Sequence, residues 1–485
     1  MAFVAVVPLL VALSGWRGRP GAYRGTTWRR GFALGACTGV VYFGGTVYWT
    51  GAVVSTFGGL PQIVALLCAF ALALYMTVYL AAAAALIGRA VALSGPRGLA
   101  LAPALWVAGE FARGHVLGGF PWVPLGGSMA TVLPVVQLAS LVGVYGVSLY
   151  LVAHSALLAV AMTGTPRQRL RAGVTAAIVL AAVSIWGGLR VADATLTREG
   201  TPLAVGLVQA NIRQEEKWDP GMAAEIERRY DRLTRQAAAA GAAAVLWPES
   251  ATPYYFNEAP ARAEAVRSLV REIGTPLLFG TDEIERGSPD RYYNSAFMLA
   301  PDGAVAAVYR KIQLVPFGEF VPLRSLLFFV SPLVEGVSDF SRGIEVTMLP
   351  IAGHMASTAI CYEIVYPHLA REAVRQGAEL LTTVTNDAWY GDSSAPYQHF
   401  ALASIRAVEQ GRYLARVANT GISGVVDPYG RVIGGTRVFE EAVVVAEVRL
   451  LQGRTLYATI GDLVAQIALV VAGLTAGWVV VERRR

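Results

Sequence analysis

Three residues in this chain are of the types that acyl transfer through a thioester requires, and each stands where an apolar run stops. Cys361 ends the run Thr358-Ala359-Ile360 and is followed at once by Tyr362 and Glu363, as when a buried strand presents a nucleophile at its carboxyl end. Glu249 follows Ala243-Ala244-Val245-Leu246 in Trp247-Pro248-Glu249-Ser250. A proline cannot continue a ladder in mid-sheet, so the strand stops there and the carboxylate is set on the loop beyond it. Lys311 follows Val305-Ala306-Ala307-Val308-Tyr309-Arg310, and the loop Pro316-Phe317-Gly318-Glu319-Phe320-Val321-Pro322 brings a second carboxylate close behind it. A carboxylate whose pKa is raised by burial can take the thiol proton, while an ammonium holds first the thiolate and then the oxyanion of a tetrahedral intermediate. Taken singly, a strand-end cysteine is an ordinary small core residue and a strand-end Glu or Lys an ordinary solvated charge. The set of base, cation and thiol, each at a strand end, is what points to chemistry. No Gly-x-Ser-x-Gly is present, which removes the serine-hydrolase elbow as a rival.

The elements that must position these groups read as an α/β layered domain over about 200–455. Strand-like runs fall at 203–209, 243–247, 276–280, 293–299, 304–309, 356–360, 380–385 and 413–417, and helix-like runs near 221–240, 258–273, 365–376 and 397–411. The β-branched content of the strands calls for a sheet buried on at least one face.

The rest of the chain is of a different kind. With 485 residues, 55% hydrophobic and 15% charged, and a mean hydropathy of +0.49, it is too apolar for an ordinary soluble protein and too long for one domain. Apolar stretches at 1–16, about 32–54, 60–88, 98–112, 133–162 and 174–190 suggest six membrane spans in an N-terminal domain of 1–195. A seventh at about 457–481 lies in the C-terminal segment 456–485. Arginines cluster at Arg17 to Arg30, at Arg89 to Arg97, at Arg167, Arg169 and Arg171, and at Arg483-Arg484-Arg485, on alternate loops. The positive-inside rule then puts these clusters in the cytoplasm and 200–455 outside the cytoplasmic membrane. The same distribution accounts for the net charge of +6 without a nucleic-acid partner. Tyr48-Trp49 and Gly119-Phe120-Pro121-Trp122 are placed to form an aromatic belt, and Glu110 and Arg113, three apart, can pair on one helix face. Three cysteines, with Cys37 and Cys68 inside apolar runs, form no disulfide framework. The five histidines have no zinc-ligand spacing, so neither metal nor cofactor is implied.

The order Trp247-Pro248-Glu249-Ser250, Lys311 and Cys361-Tyr362-Glu363 resembles the Glu-Lys-Cys triad of the nitrilase superfamily. The loop Pro316 to Pro322, the run Thr385-Asn386-Asp387-Ala388-Trp389-Tyr390-Gly391, Gln398-His399-Phe400 and the flanking spans resemble its membrane-bound branch, the apolipoprotein N-acyltransferases. That resemblance covers almost the whole chain. It implies a nitrilase-like αββα sandwich inserted in a polytopic helical membrane domain, with Glu249 as general base, Lys311 as oxyanion and thiolate stabiliser and Cys361 as nucleophile. Glu319, Tyr362 and Glu363 would support them, and Trp218 and Trp389 would face substrate, with simple core packing the alternative for the two indoles. His399 is expected to be structural. The implied reaction moves an acyl chain from a glycerophospholipid, phosphatidylethanolamine by the family's habit, to the α-amino group of an apolipoprotein's diacylglyceryl-cysteine, in the cytoplasmic membrane with the catalytic domain on its outer face. The family pattern has eight spans against seven counted, so the chain is expected either to start late or to do without the first. A membrane-tethered amidase that transfers to water, and a lipoprotein-binding scaffold with a degenerate site, are the other readings. The embedding between spans speaks against the first and the complete triad against the second.

Overall fold

The computed structural model describes residues 1–316, 318–320 and 340–484. Phe317, Val321 and Pro322 of the loop after Lys311, and the terminal Arg485, lie outside the described residues. The chain divides into two compact units, one made of 1–52, 61–193 and 459–485, the other of 53–60 and 194–458.

The first unit is helical. Among the described residues four helical runs, Gln62–Arg113, Ala139–Thr163, Pro166–Thr197 and Leu463–Glu482, are long and apolar enough to cross a membrane; Trp28–Thr46 with Trp49–Gly58, bent by 53°, makes up to five. The seven spans expected from hydropathy are therefore not all of full length. Ala2–Leu13 is a short apolar helix, and the 98–112 stretch folds as a 3-10 turn followed by the 12-residue helix Ala102–Arg113. At about 1.5 Å per residue such a helix covers only about 18 Å of a roughly 30 Å hydrocarbon core. It packs back along the helix Gln62–Ser94, where a Cβ on Gly109 would meet the Tyr79 carbonyl. Gly31, Gly35 and Gly39 repeat every fourth residue along Trp28–Thr46. Added Cβ atoms there would meet Ala85, Ala84 and Thr77 within 3 Å, so these small residues let two helices approach at backbone distance.

Two sequence expectations fail in this unit for packing reasons. Glu110 and Arg113 are both buried but take other partners. Glu110 Oε1 accepts from Trp106 Nε1 at 2.9 Å and from the Leu125 N–H at 2.7 Å. Arg113 Nη1 donates to the carbonyls of Phe120 and Trp122 at 2.8 and 2.7 Å. Each fastens the main chain of the segment between Arg113 and Leu125, which carries the short 3-10 turn Val116–Gly118. Trp49 and Trp122 do not form a belt either: both are buried and their rings pack at 5.3 Å, while Tyr48 stays exposed.

The second unit is built from strands β1 (Thr201–Gln209), β2 (Ala244–Leu246), β3 (Leu277–Glu285), β4 (Arg291–Leu299), β5 (Val305–Arg310), β6 (Leu349–Ile351), β7 (His354–Ile360), β8 (Leu380–Thr385), β9 (Leu414–Ala418), β10 (Gly424–Val426), β11 (Val432–Gly435) and β12 (Ala442–Leu450). One sheet has the order β12-β1-β2-β3-β4-β5 and the other β11-β10-β9-β8-β7-β6. Read from β12 and from β6, both sheets pair antiparallel, parallel, parallel, antiparallel, antiparallel, so one topology is used twice. Parallel strands need crossovers. The helices Ala223–Ala239 and Pro260–Ile273 supply them for the first sheet, Pro367–Arg375 and Ala395–Gln410 for the second. Helix Ala223–Ala239 buries Ile226, Tyr230, Leu233 and Ala237, a stripe at helical spacing, under Val208, Val245 and Trp247. The eight strands and four helices read from the sequence are all present; β6, β10, β11 and β12 are additional.

Candidate active site

The parallel strands of both sheets end on one side of the unit, and the candidate residues follow them there. The carboxyl ends of parallel strands are where open α/β sheets hold ligands. Glu249 comes three residues after β2, Lys311 directly after β5, Cys361 directly after β7, and Asn386 directly after β8. The two sheets are tied together at these ends. The Asn211 N–H donates to the Asn419 carbonyl at 3.1 Å, the Ile212 N–H to Asn419 Oδ1 at 2.9 Å, and the Asn386 N–H to Glu249 Oε2 at 2.9 Å.

Trp247-Pro248-Glu249-Ser250 leaves the sheet through a tight turn. Trp247 is locked in the core by its indole N–H, which donates to Thr234 Oγ1 at 2.8 Å. Gly280 on the neighbouring strand makes the room beside the turn: a Cβ there would lie 2.5 Å from Glu249 Cα. Ser250 has a φ of 45°, left-handed for a residue with a side chain, as has Cys361 at 54°. Both sit where a strand is turned sharply to present a side chain, and strain of this kind concentrates at functional sites.

Glu249, Lys311 and Glu319 form one buried polar cluster. Lys311 Nζ lies 3.2 Å from Glu249 Oε1 and 2.8 Å from Glu319 Oε1. Asn294 donates its amide to the same two carboxylates, at 2.8 and 2.9 Å. The Val315 N–H holds the other oxygen of Glu319 at 2.8 Å. Burial pulls the Lys311 ammonium down, but the Glu249 and Glu319 carboxylates more than reverse this and hold it well above its ordinary value. For Glu249, burial pushes the carboxyl up, yet Lys311, the Asn294 amide and Lys217 outweigh it and leave the group below its ordinary value. This corrects the expectation of a base raised by burial: two cations and two directed N–H donors favour its charged form. Glu249 is therefore ionised at neutral pH. Burial, and after it the Glu249 charge, pushes the Cys361 thiol up against the lowering effect of Lys311, so the resting form is the thiol beside a carboxylate.

Glu363 is fully buried. Its Oε2 accepts the Ile360 N–H at 2.8 Å, and its Oε1 accepts the Ile312 and Gln313 N–H groups at 2.6 and 2.9 Å. One carboxylate thus fastens the residue before Cys361 to the residues after Lys311, and Tyr309 Oη donates to it as well. Tyr362 is buried and receives a hydrogen bond from Tyr366 Oη at 3.1 Å. His399 lies beneath the cysteine turn: its Nε2 is 3.1 Å from the Cys361 carbonyl oxygen, and Nδ1 lies 3.0 Å from Asp387 Oδ1 and 3.1 Å from Arg416 Nη2. Burial, then Arg416, lowers the His399 pKa, consistent with a neutral ring.

Trp218 and Trp389 are not core indoles; they are 47% and 39% exposed. The Trp389 ring packs edge-on against Phe57 at 4.8 Å. Among the described residues, no hydrogen bond or ring contact joins either tryptophan to Glu249, Lys311 or Cys361. The sequence reading missed Asn294, Lys217 and the Asp387–Arg416 pair, whose Oδ2 and Nη2 are 2.8 Å apart. An asparagine inside an otherwise apolar and aromatic strand, Tyr292-Tyr293-Asn294-Ser295, was the available signal for the first. Among the described residues no group of His, Cys, Asp and Glu could hold a metal ion.

A double βαβαβ fold with a carboxylate, an ammonium and a thiol at its strand ends defines a carbon-nitrogen hydrolase domain of the nitrilase superfamily, and residues 204–456 match the carbon-nitrogen hydrolase family model. Residues 1–157 match the model of the apolipoprotein N-acyltransferase N-terminal domain. The chain is 39% identical to the apolipoprotein N-acyltransferase of Geobacter metallireducens, over 98% of this chain and 90% of that one. It is 36% identical to that of Bradyrhizobium diazoefficiens, over 83% and 77%, and 35% identical to that of Gloeobacter violaceus, over 98% and 89%. The chain belongs to the apolipoprotein N-acyltransferase family.

Proposed function

We propose that Cys361 carries an acyl chain from a glycerophospholipid to the α-amino group of an apolipoprotein's S-diacylglyceryl-cysteine. In the first half-reaction Glu249 takes the Cys361 proton as the sulfur attacks the ester carbonyl, and Lys311 faces the oxyanion that forms. Collapse expels the lysophospholipid alkoxide, which recovers the proton from Glu249 and leaves a thioester. In the second, the amine attacks the thioester, Glu249 takes a proton from nitrogen, and the amide and the free thiol result. Glu319 holds Lys311, Glu363 fixes the spacing between the lysine loop and the cysteine turn, and Tyr362 packs beneath that turn. Trp218 and Trp389, exposed on the same unit, are offered as substrate-facing residues.

The observation that carries this reading is the shared buried cluster of Glu249, Lys311 and Glu319 at the strand ends that also present Cys361. The apolar helices of the other unit give the reaction its setting. Acyl chains leave a bilayer at a cost of roughly 0.8 kcal/mol per CH₂, so the site has to come to the membrane. We place the protein in the cytoplasmic membrane as a multi-pass chain with 200–455 on the outer face, on the strength of the arginine clusters, and take phosphatidylethanolamine as donor. A membrane-impermeant maleimide on intact spheroplasts should reach a cysteine engineered in 200–455 and not one in 163–172; the opposite pattern overturns the orientation.

The chemistry is tested by following protein-bound acyl label. Wild type given phospholipid alone should accumulate an acyl-enzyme that hydroxylamine cleaves, and a diacylglyceryl peptide with a free amine should discharge it, while the N-acetylated peptide should not. Cys361→Ala and Glu249→Gln should form no acyl-enzyme, and Cys361→Ser very little, because a hydroxyl titrates far above a thiol's roughly 8.5. Transfer by Cys361→Ala, or discharge by water as fast as by the peptide, would defeat the reading.

A further inference from the structure

A second buried lysine lies behind the Glu249 turn. Lys217 belongs to the segment between β1 and helix Ala223–Ala239, it is buried, and its Nζ donates to the main-chain carbonyl of Glu249 at 3.1 Å. Among the described residues that is the one hydrogen bond of the ammonium, and two of its three N–H donors have no protein acceptor. The charged and titratable groups facing it are Glu249 beyond β2, Asp282 in β3 and Cys361 beyond β7. None of the described carboxylates comes within salt-bridge distance of it.

A buried ammonium with a single neutral acceptor is costly, and an apolar side chain of similar volume would serve stability as well or better. What Lys217 does is local to the turn. The Glu249–Ser250 peptide is gripped at its carbonyl by Lys217, and the Ser250 hydroxyl donates to Asp282 Oδ1 at 3.1 Å. Between these two grips Ser250 keeps its left-handed φ of 45°. The next residue along, Trp218, is exposed, so the Lys217-Trp218 pair has one side chain buried at the turn and one at the surface. Burial lowers Lys217 to about 8 and raises Asp282 to about 6, which leaves the lysine mostly charged at neutral pH.

We propose that Lys217 is a positioning residue for the base: it holds the strained Glu249–Ser250 turn by the Glu249 carbonyl. Its charge adds, after Lys311 and the Asn294 amide, to what favours the ionised Glu249 carboxylate. The inference rests on the functional reading above, in which Glu249 takes the thiol proton. Lys217 touches no reacting atom; it acts through Glu249.

The test uses the full chain in phospholipid vesicles and compares wild type, Lys217→Met, Lys217→Gln and Cys361→Ala. Three quantities are measured: the rate of acyl-enzyme formation from labelled phosphatidylethanolamine, the pH dependence of Cys361 alkylation by iodoacetamide resolved by peptide mass, and Tm. Lys217→Met should keep the wild-type Tm or exceed it, lose about 100-fold in acylation rate as expected for a misplaced catalytic group, and move the Cys361 alkylation profile to higher pH. Lys217→Gln, which keeps an N–H for the carbonyl but not the charge, should recover part of the rate and none of the pH shift. Acylation at the wild-type rate by Lys217→Met, with Cys361→Ala inert, overturns the inference alone. A fall in Tm that accounts for the lost rate, with the alkylation profile unmoved, makes Lys217 a packing residue and overturns it too. Acyl transfer by Cys361→Ala removes the functional reading and the inference with it.

Discussion

Lys311 Nζ stands 2.8 Å from Glu319 Oε1, nearer than the 3.2 Å that separates it from Glu249 Oε1. The second carboxylate, contributed from the loop after β5, is thus the nearer of the lysine's two anchors, and Glu249 shares the cation with it. Removing one partner of a buried ion pair costs up to about 3–5 kcal/mol where the other charge is left uncompensated, and less here, because Glu249 still faces Lys311. Glu319→Ala should therefore lower Tm and abolish acyl-enzyme formation. Glu319→Gln, which keeps one acceptor oxygen for either Lys311 or the Val315 N–H but not both, should retain more of the Tm than Glu319→Ala and acylate slowly. Normal acylation by Glu319→Ala would show that Glu249 alone positions the lysine.

Lys311→Arg should fail where a conservative change might be expected to succeed. The lysine is almost fully buried and its compact ammonium fits between two carboxylates 2.8 and 3.2 Å away. A planar guanidinium is larger and spreads its charge over a fork. Single-turnover acylation of the Arg variant near the wild-type rate would reduce Lys311 to a generic cation.

Gly280→Ala should disturb Glu249 without touching it chemically. The added Cβ would lie 2.5 Å from Glu249 Cα, 2.8 Å from the Pro248 carbonyl oxygen and 2.9 Å from the Ser250 nitrogen, all main-chain atoms of the turn that cannot swing aside. Acylation should drop by about 100-fold, the cost of displacing a catalytic group by an ångström or so, and Tm should fall with it. A variant with unchanged acylation would mean that the turn has slack.

Asp387 gives a pH signature to the support beneath Cys361. Burial pushes its carboxyl up, but Arg416 and His399 outweigh this and hold it at about 2, below its ordinary 3.8. A group with a lower pKa folded than unfolded contributes stability that is complete above the unfolded value and disappears as pH falls through the folded one. Asp387→Asn should therefore melt below wild type at neutral pH, and the gap between the two Tm values should close as pH is lowered from about 4 towards 2. A gap that stays constant over that range would show that the Arg416 pair adds nothing to stability.

By itself, the sequence determined the alternation of strands and helices, the strand ends that hold Glu249, Lys311 and Cys361, and the presence of a helical apolar part. Those features are local. Proline after Leu246 stops a strand whatever surrounds it, and hydrophobic period decides helix or strand within a dozen residues. The tertiary structure decided what depends on residues far apart in the chain. Glu249 reads as a burial-raised base until Asn294, Lys311 and Asn386, from three other strand ends or strands, deliver their donors to it. Glu363 reads as a neighbour of the nucleophile until it is found clamping Ile312 and Gln313. Glu110 and Arg113 show the same limit from the other side: helical spacing permits the pair, but the carbonyls and N–H groups of a nearby irregular segment offered better partners than an ion pair. Spacing along a chain sets which groups can meet; the balance of burial, charge and main-chain donors that fixes their chemistry exists only once distant segments have packed.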